Sequence, residues 1–158
     1  MLRDKNLIPL SRQHQHALAL CVRIERAVPI DDTQLADWQA EVAQQFAAEI
    51  KVHFAAEEQI VFPAARTFDE LNPLIGDLLA DHQWLRACFA KAEARQSSQE
   101  ELLAFARRLS QHVRQEERHL FERLQVLMPQ TELSMLGQRL DRALESGSQV
   151  CSLPHPTK

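Results

Sequence analysis

The sequence predicts an all-α protein, namely an antiparallel up-down four-helix bundle followed by a short fifth C-terminal helix. Ala, Leu, Gln, Glu and Arg, which favour helices, dominate the 158 residues, whereas glycine occurs only 3 times. Apolar residues recur at spacings of three and four along every long segment, and no segment has the alternating pattern of a strand. Because the connections between these segments are short, neighbouring helices are expected to run antiparallel.

The first two helices are marked by apolar stripes and by the break between them. The segment VPIDD interrupts the pattern, and Thr33 or Asp32 is expected to cap the second helix. Pro63 lies near the end of the second helix and is expected to kink or stop it. The stripe of the first helix comprises Leu10, His14, Ala17, Cys21, Ile24 and Val28. The stripe of the second helix comprises Leu35, Val42, Phe46, Ile50, His53, Glu57 and Ile60.

The third and fourth helices carry recognisable start signals. Asn72 is expected to cap the third helix, with Pro73 in its first helical position. Ser98 and Glu101 fit a capping box at the start of the fourth helix, which is expected to run to about Met128.

The fifth helix is expected from about Thr131 to Glu145, and it has an apolar stripe of its own. Residues 1–145 are therefore predicted to form one domain, followed by a flexible tail at residues 146–158. The stripe could contact a partner protein, but docking on the protein's own bundle is the simpler interpretation. It consists of Leu133, Leu136, Leu140 and Leu144.

Composition and charge exclude several classes of function. The net charge of −4 is spread along the chain, so no basic face for nucleic acid is predicted. No apolar run approaches the roughly 18–20 residues that cross a bilayer, and the N-terminus lacks the apolar core of a secretory signal. We therefore expect a cytoplasmic protein, monomeric or homodimeric, without a membrane partner. Cys21, Cys88 and Cys151 form no CxxC pair, which argues against a disulfide framework or a thiolate zinc site.

Two segments of the chain nearly repeat each other. HFAAEEQIVF (residues 53–62) and HVRQEERHLF (residues 112–121) each begin with histidine, place two glutamates four and five residues later, and end in phenylalanine. The first and third helices also match, since LSRQHQ (residues 10–15) aligns with LLADHQ (residues 78–83). One helix pair is thus written twice, which predicts a bundle with a pseudo-twofold axis and a symmetric interior.

The repeat places polar groups on the apolar stripes, where each needs a partner. Residues four apart share a helix face, so each histidine of the repeat presents a glutamate beside it. Two unpaired buried carboxylates would be very costly, whereas two divalent cations would balance them, each carboxylate bridging both ions. Imidazole with carboxylate suits iron, with manganese and zinc as weaker candidates. Without metal, repulsion and burial are expected to raise at least one carboxyl pKa. The predicted ligands are His14, His53, Glu57, His82, His112 and Glu116.

Neighbouring polar residues leave alternatives open. A single His-x-x-x-Glu is usually an exposed surface pair, so the prediction depends on the doubled pattern. His14 is preferred to His16 because it lies on the apolar stripe and aligns with His82. His119 is interpreted as a packed histidine bonded to a neighbour, or else as a further ligand or a support for one. Glu58 and Glu117 are expected to be solvated or to support the ligands. His155 lies in the predicted tail and is expected to have no role.

At these residues the chain resembles the hemerythrin-like, or hemerythrin/HHE cation-binding, proteins. The resemblance covers about residues 8–128 and depends on LSRQH, HFAAEEQIVFP, DHQWL and HVRQEERHLF. It implies an up-down four-helix bundle around a non-haem di-iron centre. By motif position, it implies the same six ligands that the repeat predicts.

The sequence also departs from the oxygen-carrying members of that family. Those proteins have a second histidine four residues after the first in the third helix, where this chain has Arg86. They take their last carboxylate five residues after the histidine, which would be Glu117, whereas the repeat symmetry favours Glu116. The set is therefore closer to hemerythrin-like domains that sense iron or oxygen, or that repair iron centres, although the repair proteins carry an additional N-terminal domain with cysteines.

Three functions are compatible with this pattern. The first is a binding or sensing protein whose di-iron site takes up O2 or NO, or reports the iron or redox state. The second is an enzyme that reduces O2, peroxide or NO, with His119 as a conceivable proton relay, or a protein of iron-centre repair or iron handling. The third is an interaction module. Metal- and diatomic-binding is the preferred interpretation, since the sequence has no clear substrate pocket.

Overall fold

The computed structural model describes residues 1–150, and every regular element within them is helical. The all-α class is therefore confirmed for this part of the chain. The α-helices are α1 (Ile8–Arg26), α2 (Asp32–Gln45), α3 (Lys51–Ala56), α4 (Phe62–Ala65), α5 (Asn72–Glu93), α6 (Gln99–Gln115), α7 (Glu122–Leu127) and α8 (Gln130–Val150). The remaining helical elements are π1 (Phe46–Ile50), π2 (Glu57–Val61), π3 (Glu116–Phe121) and a 3-10 turn (Asp69–Leu71).

The predicted start of α6 is confirmed, and that of α2 lies one residue earlier than predicted. Ser98 and Glu101 form a reciprocal capping box, each side chain bonding the other residue's backbone N–H. At α2 the same arrangement is made by Asp31 and Gln34, so neither of the predicted caps is used. The sequence allowed this, since Asp31 has the capping side chain and Gln34 stands three residues later.

Two other boundaries differ slightly from the prediction. Asn72 is the first residue of α5 rather than its cap, which moves Pro73 to the second position, where its missing N–H is still no loss. The second helical stretch ends at Ala65, two residues after Pro63, as the proline led us to expect.

The three π-helical segments were not predicted, because the apolar pattern gives no sign of a departure from a 3.6-residue period. A π turn bonds each N–H to the carbonyl five residues back, so it holds an extra residue and rotates everything after it around the helix axis. Two of these segments begin at the glutamates of the repeat, Glu57 in π2 and Glu116 in π3. The π3 turn explains why His119, which a regular helix would place on the buried stripe, is exposed.

The helices enclose two apolar clusters. α1 packs against α6, α2 against α5, and α5 against α6, whereas α8 packs against α3 and π2. One cluster includes Leu10, Ile60 and Leu78, and the other includes Ala17, Phe54 and Leu85. The up-down arrangement of these helices remains a prediction.

The apolar stripe of α8 is covered by the protein itself. Its four leucines are buried and belong to the same cluster as Leu10, which agrees with docking on the protein's own bundle. α8 ends at Val150, five residues beyond the predicted end, so the first part of the predicted tail is helical. Residues 151–158 of that tail, with Cys151 and His155, lie outside the described residues.

The cysteines and the membrane expectation can be compared with the described residues. Cys21 and Cys88 are free thiols; Cys21 is fully buried, as free cysteines commonly are, whereas Cys88 is only partly buried. None of the described helices is both long enough and apolar enough to cross a membrane.

Candidate metal centre

Six buried side chains meet between the two apolar clusters. They form two overlapping groups, each with two histidines, and both groups share the same two glutamates. Ligand atoms within each group lie within 4.8 Å of one another. The first group is His14, His53, Glu57 and Glu116, and the second is Glu57, His82, His112 and Glu116.

The histidines are arranged as two pairs. The Nε2 atoms of His14 and His53 lie 3.0 Å apart, and those of His82 and His112 lie 3.1 Å apart. Two nitrogens at this separation can be adjacent ligands of one ion at bond lengths of about 2.1 Å. The two imidazoles of each pair therefore have the spacing of two ligands of the same ion.

The glutamates lie between the two histidine pairs. Glu57 places Oε1 2.9 Å from Nε2 of His53 and Oε2 3.3 Å from Nε2 of His82, so its two oxygens face opposite pairs. Glu116 places Oε2 3.1 Å from Nε2 of His14 and 3.3 Å from Nε2 of His112. Both carboxylates therefore have the position that a bridging ligand requires.

The surroundings of the glutamate oxygens favour a bound cation. Both side chains are completely buried, and none of their four oxygens accepts a hydrogen bond. A buried carboxylate without partners is strongly destabilising, and a bound cation removes that cost. The donor set of imidazoles and carboxylates is one that iron, manganese and zinc accept. The residues present therefore fit a pair of divalent cations.

The electrostatics of the centre favour positive charge. Burial lowers the pKa of His14, but the carboxylates of Glu116 and Glu117 outweigh it and hold that pKa well above its ordinary value. The pKa of His82 is raised too, because Glu57 outweighs the effect of burial. Burial raises the pKa of Glu57, yet the charge of His53 and the imidazoles nearby leave it well below its ordinary value. Glu57 is therefore not a carboxyl group whose pKa rises on burial here, because the imidazoles stabilise its charged form.

Each imidazole is held from behind by a hydrogen bond at Nδ1. Such partners fix the tautomer and the ring orientation, leaving Nε2 free to bind a metal. The sequence signal for Gln13 and Asp81 was weak: each stands immediately before a histidine of the aligned segments, and their role was missed. The pairs are His14 with Glu117 at 2.7 Å, His53 with Gln13 at 2.8 Å, His82 with Glu58 at 2.7 Å, and His112 with Asp81 at 3.4 Å.

Arginines neutralise the three carboxylates behind the histidines. Each arginine makes an ion pair at a distance between 2.5 and 2.7 Å. Arg86, which stands where oxygen carriers have another histidine, therefore supports Glu58 and does not point its charge at the centre. The ion pairs are Arg3 with Glu117, Arg86 with Glu58, and Arg108 with Asp81.

Phenylalanine rings cover the imidazoles. The ring of Phe54 stacks on His82 with centroids 3.8 Å apart, and the ring of Phe121 stacks on His14 at 5.5 Å. Phe62, the repeat counterpart of Phe121, lies 5.5 Å from His82. These contacts explain why both repeats end in phenylalanine: the ring excludes water from the histidine of the neighbouring helix.

The structure separates the alternatives that the sequence left open. His14 is buried, whereas the side chain of His16 is 62% exposed and pairs with Glu49 on the surface. His119 is exposed, so it is neither a packed histidine nor part of this cluster. Glu58 and Glu117 contact histidines from outside, and their side chains are about a quarter exposed (28% and 25%).

A small cavity adjoins the centre on one side. Its volume is about 10 Å³, close to the space that one water molecule needs. Its polar lining residues are Gln13, His14, Glu49, His53, His112 and Glu116, and the other lining residues are apolar.

Comparison with known protein families agrees with this geometry. The sequence model of the hemerythrin HHE cation binding domain matches residues 9–124, which include all six converging side chains. Neither a curated protein nor a solved structure matches the chain.

Proposed function

Because the chain belongs to the hemerythrin HHE cation-binding domain family, we propose that it is a non-haem di-iron protein that binds or senses O2, NO, or the iron or redox state of its surroundings. One observation carries the proposal. The four carboxylate oxygens of two fully buried glutamates have no hydrogen-bond partners, and they lie between two pairs of imidazoles. Burying two carboxylates in this way is costly, and a bound cation between them removes much of that cost.

The six converging side chains are the proposed ligands. His14 and His53 would hold one ion, at what we call the α1 position, and His82 and His112 would hold the other, at the α5 position. Glu57 and Glu116 would contribute to both positions, and their negative charges would offset half of the charge of two divalent cations. The distances within each group support this assignment.

Iron is the proposed metal, and manganese or zinc would suit the same donors. Imidazole nitrogen and carboxylate oxygen together are typical ligands of non-haem iron. The absence of thiolate ligands within the described residues makes zinc less favoured, since structural zinc sites commonly use cysteine.

The proposed arrangement around the metals is the antiparallel up-down bundle. Along α1 the chain passes from the cluster of Leu10 through His14 to the cluster of Ala17. The second stretch runs the other way, from Phe54 to Ile60 across the same polar layer. α5 repeats the direction of α1, and α6 with π3 repeats the direction of the second stretch. This alternation supports the up-down topology.

The chain's own residues prepare the site for a small ligand. Bound iron would supply reversible electron exchange and a coordination position for a diatomic molecule. The Nδ1 partners hold the imidazoles in one tautomer, and the phenylalanine rings exclude water. A cavity of about 10 Å³ suits a diatomic molecule far better than an organic substrate.

A binding or sensing role is favoured over an enzymatic one by the position of His119. It was the candidate proton relay, and its exposure removes it from the centre. We further propose a cytoplasmic monomer or homodimer without nucleic-acid or membrane partners, consistent with the dispersed charge of the sequence.

Metal analysis and optical spectroscopy test the proposal. Protein from iron-replete cells should contain two iron ions per chain, and under air it should develop a charge-transfer band that reverses under vacuum. A reproducible single ion at full occupancy would contradict the dinuclear centre. Irreversible oxidation with turnover of peroxide or NO would favour the enzyme instead.

A further inference from the structure

We infer that the two metal positions are inequivalent and that the α1 position releases its ion first, because Gln13 supports a histidine there where Asp81 supports one at the α5 position. The inference rests on the proposed di-iron centre. Gln13 and Asp81 each contact the Nδ1 atom of a proposed ligand, and the sequence repeat makes the two contacts directly comparable.

Gln13 and Asp81 occupy equivalent places in the repeat. Each precedes the histidine of its own helix and contacts the histidine of the next one. Oε1 of Gln13 lies 2.8 Å from Nδ1 of His53, and Oδ2 of Asp81 lies 3.4 Å from Nδ1 of His112. The supporting group is therefore a neutral amide on one side and a carboxylate on the other.

The other two histidines do not create a difference. Nδ1 of His14 and Nδ1 of His82 each lie 2.7 Å from a glutamate oxygen, and each glutamate pairs with an arginine. The α1 position thus has one carboxylate behind its imidazoles, and the α5 position has two.

A carboxylate behind an imidazole strengthens its bond to a metal more than an amide does. The negative charge increases the electron density that Nε2 offers, and loss of such a partner typically lowers metal affinity about 10- to 100-fold. The contact of Asp81 is the longer one, since Arg108 binds its other oxygen. Arg108 offsets part of this charge, but its side chain is 46% exposed whereas that of Asp81 is 7% exposed, so solvent screens the guanidinium more than the carboxylate that faces His112.

Access to the two positions differs in the same direction. His14 and His53 are 3% and 5% exposed, compared with 0% and 1% for His82 and His112. The small cavity borders both imidazoles of the α1 position and Gln13 itself, but only His112 of the other pair. The imidazoles of the α1 position are therefore the more accessible of the two pairs to solvent.

The test measures iron release from the full-length ferrous protein. Under anaerobic conditions, a chromogenic ferrous chelator should remove one ion per chain about ten times faster than the second. Gln13→Glu should slow the first release about tenfold, whereas Asp81→Asn should accelerate the second. Gln15→Glu and Asp37→Asn make the same chemical changes at exposed positions of α1 and α2, and both should leave the time course unchanged.

Gln13→Glu alone decides the outcome if Asp81→Asn fails to fold. Loss of both ions in one phase, or a first phase that Gln13→Glu leaves unchanged, overturns the inference while the di-iron proposal stands. Binding of fewer than two ions at saturation instead overturns the di-iron proposal, and the inference with it.

Discussion

Nδ1 of His14 lies 2.7 Å from Oε1 of Glu117, and the contact turns the opposite nitrogen of the imidazole toward the centre of the molecule. Ser11 and Arg3 also bond the Glu117 carboxylate, at 2.6 Å each. Glu117, which directly follows Glu116 in the second repeat segment, therefore supports a histidine of another helix. It links the N-terminal segment to the proposed metal site.

Glu117→Gln is expected to weaken metal retention about tenfold while leaving the protein folded. Burial raises the pKa of Glu117, but His14 and Ser11 outweigh it and lower that pKa to about 2. The carboxylate is thus ionised at neutral pH, and the substitution removes a full charge from behind His14. Competition with a chelator measures the effect, and Glu100→Gln, at an exposed position of α6, is the control. Equal retention by both variants would contradict a supporting role.

His14→Ala should lose metal, whereas His16→Ala should retain it. The first substitution removes a buried imidazole that faces both glutamates, and the second removes a surface ion pair worth at most about 1 kcal/mol. Iron content after gel filtration distinguishes the two. Equal losses in both variants would show that the inward position of His14 has no bearing on metal binding.

Glu57→Gln should reduce the stabilisation that metal gives to the fold. A ligand that binds only the native state stabilises it by mass action, by about 2.7 kcal/mol at a hundredfold excess over Kd. Removing one of two bridging charges raises Kd, so the rise in Tm on adding ferrous iron should shrink. Thermal unfolding with and without iron provides the measurement, with Glu25→Gln as the exposed control on α1. An undiminished rise in Tm would exclude Glu57 as a ligand.

Two glycines provide a paired test of how α8 is docked. A methyl group at Gly76 meets no atom within 4 Å, so Gly76→Ala should stabilise α5 by about 1 kcal/mol through helix propensity. A methyl group at Gly137 would lie 2.8 Å from Cγ of Asn6, whose side chain is tied to Asp4. Gly137→Ala should therefore destabilise the protein by about 1–3 kcal/mol. Urea unfolding compares the two variants, and stabilisation by both would mean that α8 does not lie against the N-terminal segment.

The sequence was sufficient to predict the helical class and the convergence of the six side chains. Residues four apart share one helix face, and the repeat places the same pair of residues on the buried face of two helical stretches. The sequence was not sufficient where hydrogen bonding changes the helix itself. The π3 turn begins at Glu116, and nothing in the apolar pattern distinguishes it from a regular turn, so His119 was placed on the wrong face.

Contacts between helices were the other part that the sequence could not supply. Gln13 and Asp81 are ordinary polar residues within one helix, and only packing shows that each reaches a histidine on another. Glu58 similarly contacts His82, so Glu58→Gln should weaken metal retention and cannot be an inert control for Glu57.

The polar layer between the two apolar clusters has a consequence for how the molecule opens. Each cluster is continuous on its own side of the layer, and the side chains that join the two sides are the proposed ligands. With metal bound, the ions would link the two sides of the layer. Amide hydrogen exchange should then show that both sides open together, as a single cooperative unit. After chelation the half that contains α8 and the opposite half can fluctuate separately, each with its own opening free energy, as independent foldons.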